Sequence, residues 1–73
     1  MLITFIGGGN MATALISGLV NPPRAHLKIR VSDPSEDARV HLAQTFNVPT
    51  FTDSVSAIDG ADVIVLAVKP QSM

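Results

Sequence analysis

Apolar and polar positions along the chain fall into short blocks whose period switches between that of a strand and that of a helix. Leu2 to Ile6 is a nearly continuous apolar run, the pattern of a strand covered on both faces. From Asn10 the period becomes helical. Met11, Leu15 and Leu19 share one stripe, widened by Ala12 and Ile16, which predicts a helix with that stripe in the core. Asn21-Pro22-Pro23 ends it, because proline has no N–H and disfavours helical geometry at the residue before it. Leu27, Ile29 and Val31 then alternate with Lys28, Arg30 and Ser32, a second strand with one wetter face.

Asp33-Pro34-Ser35-Glu36 predicts a helix start, with Asp33 as N-cap, Pro34 at N1 and Glu36 at N3. That helix carries Ala38, Leu42 and Phe46 on one stripe and stops at Asn47, with Pro49 just beyond. Pro49 to Phe51 fits a short edge strand. Thr52-Asp53-Ser54 caps a brief helix through about Ile58, and Gly60 punctuates. Val63 to Val68 is the most apolar β-branched run, so it predicts a central buried strand ending at Lys69-Pro70.

The order is β-α-β-α-β-α-β, an α/β chain whose alternation implies a parallel sheet with right-handed crossovers. Between the first strand and first helix, Gly7, Gly9 and Ala12 fall on the G-x-G-x-x-G/A spacing of a dinucleotide-binding loop. Each small residue has its own task there. Gly7 permits the tight turn, Gly9 lets backbone approach a pyrophosphate, and Ala12 lets the helix pack close to the sheet. Asn10 starts the helix and is expected as its N-cap, either an ordinary one or one that also faces the phosphate, and the helix N-terminus offers unpaired N–H groups and the positive end of a dipole. A partial Rossmann fold with strand order 3-2-1-4 is therefore expected. That order puts the last strand at an edge, although its sequence suits an interior position. The expectation is that residues 1–73 form the N-terminal part of a longer NAD(P)-binding domain.

Composition narrows the function classes. Hydrophobic residues make up 47% of the 73, and the net charge is −1 with no basic run, which argues against a nucleic-acid footprint. There is no cysteine for a disulfide or thiolate metal site, and no apolar run of the ~20 residues a membrane helix needs. A charged n-region before Leu2 is missing, so a cytoplasmic location is expected. His26 and His41 have no carboxylate at ligand spacing and fit the surface, so no metal site is expected. No catalytic triad or carboxylate pair can be assembled.

Asp33 has two readings. An acidic residue closing the second strand bonds the adenine ribose hydroxyls and favours NAD over NADP, yet the same aspartate suits a helix cap. Ser32 and Ser35 beside it suit a 2′-phosphate, with Arg39 about one turn along, so NADP(H) and NAD(H) both stay open. Lys69, after the last strand, fits either a cofactor contact or an exposed charge.

Phe5-Ile-Gly-Gly-Gly-Asn-Met-Ala12, Val31-Ser-Asp-Pro34 and Ala61-Asp-Val-Ile-Val-Leu-Ala-Val-Lys-Pro-Gln71, taken together, resemble the N-terminal domain of the pyrroline-5-carboxylate reductases, which catalyse the last step of proline biosynthesis. The likeness covers essentially all 73 residues. It implies NAD(P)H-dependent reduction of 1-pyrroline-5-carboxylate to L-proline. It places the cofactor diphosphate on Ile6, Gly7, Gly8, Gly9, Asn10 and Met11, and the adenosine end near Asp33. The resemblance also implies a cofactor contact at Ser54, and it lays Ala67, Val68, Lys69 and Pro70 along the cofactor towards its nicotinamide. Ser32-Asp33 departs from the Asn-Arg or Ser-Ser of some relatives, which leaves the NADP assignment open. The family's helical C-terminal domain, which forms the homo-oligomer and the imine pocket, has no counterpart in these residues. The piece alone is therefore expected to bind cofactor without turnover.

Two other readings share the glycine loop. A β-hydroxyacid dehydrogenase-like reductase would continue its fourth strand differently from A-V-K-P-Q. A non-catalytic nucleotide-binding module would need no catalytic group. An S-adenosylmethionine methyltransferase is disfavoured by Ala12 at the close-packing position and by the downstream match.

Overall fold

A computed structural model describes residues 1–20 and 26–67. It contains β1 (Leu2–Ile6), α1 (Asn10–Val20), β2 (Lys28–Ser32), α2 (Glu36–Phe46), β3 (Thr50–Phe51), α3 (Ser54–Ile58) and β4 (Val63–Leu66). The strands form one parallel sheet in the order β3-β2-β1-β4. This is the expected partial Rossmann fold. In register, Phe5 of β1 lies between Val31 of β2 and Val65 of β4, and Ile6 lies between Ser32 and Leu66. The carboxyl ends of β1, β2 and β4 thus meet at one rim of the sheet, where open α/β sheets bind ligands.

Ile3 and Phe5 of β1 join Ile29 and Val31 of β2 in one core with Ala12 and Ile16 of α1 and Leu42 of α2. Ala12 and Ile16 are fully buried, whereas Met11 and Leu15 of the expected α1 stripe are 59% and 44% exposed. The stripe is rotated because the small Ala12, and not its larger neighbour, is the residue pressed against the strands. Phe46 packs against the core from the end of α2.

The other face is tied down by polar contacts. Thr4, buried in the middle of β1, donates its hydroxyl hydrogen to the Ala57 carbonyl of α3 at 2.7 Å. Arg30 of β2 donates to the Asp59 carbonyl at 2.8 Å, and its guanidinium sits 5.8 Å from the centre of the Phe51 ring. These contacts hold α3 over β1, β2 and β3.

Two expectations need correction. The α2 N-cap is Ser35, whose hydroxyl accepts the Ala38 N–H, so Glu36 and not Pro34 opens the helix. β4 is an edge strand ending at Leu66, with Val63, Ile64 and Leu66 exposed. Among the described residues it pairs with β1 alone, and α3 lies over the other three strands, so those three side chains remain open while Val65 packs against the core. Asn21 to Pro23, expected to end α1, and Val68 lie outside the described residues. Among the described residues no helix is long and apolar enough to cross a membrane, and no group of three potential metal ligands occurs.

Candidate functional site

The glycine loop is shaped by three bonds. Gly7 has a φ of 105°, a conformation that side chains resist, and its N–H donates to the Ser32 carbonyl at 2.8 Å. The Gly8 N–H donates to Asp33 Oδ2 at 2.6 Å. The Gly9 carbonyl accepts the Thr13 N–H at 3.0 Å, which is the first bond of α1. Gly9 therefore occupies the N-cap position expected for Asn10, and it has no side chain with which to cap.

That leaves the start of α1 bare. Ser35 and Asp53 cap the two later helices with side-chain oxygens. The first turn of α2 also carries Glu36 and Asp37, while the first turn of α1 has no acidic residue. Among the described residues, the N–H groups of Gly9, Asn10 and Met11 have no hydrogen-bond partner. Unpaired donors at the positive end of a helix dipole suit an anion such as a phosphate.

The glycines differ in what they require. A Cβ on Gly8 would lie 2.9 Å from Leu42 Cδ1 and 3.4 Å from Asp33 Oδ2, so the loop has no room there. A Cβ on Gly9 would meet nothing within 4 Å, and its φ is not in the left-handed region. The folded chain itself makes no demand for glycine at position 9. The open space beside Gly9 fits a ligand brought up to the backbone.

The loop forms one side of a cleft of about 610 Å³ at the carboxyl rim of the sheet. Ile6, Gly7, Gly8, Gly9, Asp33, Ser54 and Ala67 from the sequence reading all line it. Asn10 and Met11 stand exposed at the adjoining helix start. Val68, Lys69 and Pro70 lie outside the described residues. Ser32, which suits a 2′-phosphate, also lines the cleft, and the fold adds Pro34, Thr52 and Asp53, which the sequence presents only as cap and helix-start residues. Asp53 Oδ1 accepts the Ser56 N–H at 2.8 Å, and this bond with the backbone holds its carboxyl below the usual range. A second cleft of about 560 Å³, lined by Leu2, Leu27 and Phe46 at the opposite end of the strands, has neither glycine loop nor helix start.

With this geometry in view, comparison with known proteins is decisive on family. A model of the family described as "NADP oxidoreductase coenzyme F420-dependent" matches residues 2–73. The chain belongs to this family. It is 46% identical over 71 residues to a pyrroline-5-carboxylate reductase of Vibrio alginolyticus, covering 97% of this chain and 26% of that protein. To a protein of the same name from Haemophilus influenzae it is 46% identical over 72 residues, covering 99% and 26%. Among solved structures, a pyrroline-5-carboxylate reductase from Coxiella burnetii superposes with a TM-score of 0.87 at 40% identity, over 96% of this chain and 26% of that one. The Streptococcus pyogenes 1-pyrroline-5-carboxylate reductase gives 0.77 at 31% identity, over 97% and 26%. The chain thus spans about a quarter of the length of these relatives.

Proposed function

We propose that the chain supplies the NAD(P)H-binding part of a pyrroline-5-carboxylate reductase. The observation that carries this reading is the bare start of α1, where the Gly9, Asn10 and Met11 N–H groups have no partner among the described residues and the space beside Gly9 at the cleft rim is open. The names of the relatives that match almost the whole chain support the specific reaction.

In this reading Gly7 makes the turn, Gly8 seats the loop on Leu42, and the Gly9, Asn10 and Met11 N–H groups hold the diphosphate. Ile6 backs the loop from the end of β1. Asp33 borders the adenosine end, with Ser54 on the facing wall and Ala67 leading to Val68, Lys69 and Pro70 towards the nicotinamide. The Asp33 carboxylate disfavours a 2′-phosphate nearby, while the family description names NADP. The cofactor is accordingly written as NAD(H) or NADP(H). When bound, its dihydronicotinamide supplies a hydride to the imine carbon of 1-pyrroline-5-carboxylate, and a proton at nitrogen completes L-proline.

The described cleft holds no acid or base other than Asp33 and Asp53, and both carboxylates are occupied by backbone N–H groups. These residues bind and orient cofactor. We assign the imine pocket and the homo-oligomer contacts to a further helical domain, consistent with the relatives' fourfold greater length. The test is dihydronicotinamide oxidation followed by absorbance. A full-length protein carrying this chain consumes NADH or NADPH only when pyrroline-5-carboxylate is added, and the 73-residue chain alone does not. Turnover by the 73 residues alone would refute the division of labour, and a full-length protein inert to this imine would refute the reaction.

A further inference from the structure

Asp33 is the most heavily bonded residue of the site. Its N–H donates to the Phe51 carbonyl at 3.0 Å, and its carbonyl accepts from Arg39 Nη1 at 2.6 Å. The backbone is thereby held from β3 on one side and from α2 on the other. Its two carboxylate oxygens do separate work. Oδ1 accepts the Ser35 N–H at 2.8 Å, and Oδ2 accepts the Gly8 N–H at 2.6 Å, across 25 positions of sequence. The space beside Gly8 is closed as well: a Cβ there would lie 2.9 Å from Cδ1 of the fully buried Leu42 and 3.5 Å from Val31 Cγ1. Gly8 is therefore held by a charged acceptor at a place with no room for a side chain.

We propose that Asp33 is a positioning residue of the cofactor site, whose carboxylate sets the glycine loop in its receiving shape before any ligand arrives. The inference rests on the dinucleotide reading of the loop and deepens it. By consuming the Gly8 N–H, Asp33 leaves the Gly9, Asn10 and Met11 donors as the phosphate-facing set. The geometry also explains why a carboxylate is needed. Two N–H groups reach two different oxygens, and each oxygen of a carboxylate accepts. Asparagine has one accepting oxygen and an NH2, so one of the two N–H groups would face a donor. Serine has a single oxygen on a shorter stem. A charged acceptor also makes a stronger bond than a neutral one.

Inorganic diphosphate separates this role from a ribose contact, because it carries no ribose. Asp33→Asn and Asp33→Ser both remove a negative charge beside an anion site, so electrostatics alone would tighten diphosphate binding. Positioning predicts the opposite. Amide-shift titration of Gly9, Asn10 and Met11 with inorganic diphosphate is expected to show binding weakened about fivefold, the worth of one lost hydrogen bond. Without ligand, exchange of the Gly8 amide is expected to speed up by a similar factor in both variants. Unchanged Gly8 exchange, or diphosphate binding that is equal or tighter, would overturn the proposal. If the unsubstituted protein bound neither diphosphate nor dinucleotide, the cofactor reading would fall. The Gly8 exchange rates would still decide whether Asp33 sets the loop.

Discussion

The hydroxyl of Thr4 and the carbonyl of Ala57, 2.7 Å apart, join the middle of the central strand to the helix that carries Ser54. Both residues are fully buried, so no water replaces either partner. Thr4→Val keeps the shape and leaves the Ala57 carbonyl unpaired, a cost of about 1–3 kcal/mol. In a domain of this size each ~1 kcal/mol lowers the melting temperature by about 4–8 °C. Thr4→Ser, which retains the bond, should lose distinctly less. Equal melting temperatures for the Val and Ser variants would show that the bond contributes nothing.

Gly8 and Gly9 should respond differently to the same substitution. Gly8→Ala drives a methyl group against Leu42 in a filled core, and overpacking of this kind costs about 1–3 kcal/mol. Gly9→Ala enters open space and changes only the cap residue, so its cost stays below about 1 kcal/mol. Urea unfolding of the two variants checks the order, and a less stable Gly9→Ala would contradict it.

The α3 cap carries a pH signature. The Ser56 N–H favours the ionised form of Asp53, so the folded state binds a proton at this carboxyl less readily than the unfolded chain does. The stabilisation is complete above the ordinary aspartate value of 3.8 and is lost as the pH falls through the lowered folded value. Amide exchange at Ser56 should accelerate, beyond its intrinsic pH dependence, only in that acid range. Asp53→Ala should show fast exchange throughout. A cap that weakened instead as the pH rose would contradict the assignment.

The sheet order and the glycine loop were legible because they rest on local signals: short apolar runs, helix starts, and Gly7 at a turn with φ of 105°. What escaped depends on partners distant in sequence. Asp33 and Ser35 are both good caps, and the bond from Gly8 draws Asp33 to the loop and leaves Ser35 to cap. Thr4 looks like a polar interruption in an apolar strand until Ala57 is placed beside it. In α1 periodicity marks a stripe through Met11 and Leu15, and close approach at Ala12 rotates the helix away from it. In β4 the β-branched run signals a strand but not how much of it is covered, and Ile64 and Leu66 are exposed. Thr52 and Asp53 were visible as caps, but their place opposite the loop emerged only from the fold.

The central claim is that the bare start of α1 holds the diphosphate of a nicotinamide dinucleotide. Fluorescence titration of the unsubstituted protein and of Gly9→Ala with NADH and NADPH tests it directly, because a methyl group at position 9 fits the folded chain and intrudes only on a ligand. The account predicts binding of at least one dinucleotide, weakened about tenfold or more in the variant (~1.4 kcal/mol), with nearly unchanged thermal stability. Equal affinity in the two proteins would contradict it.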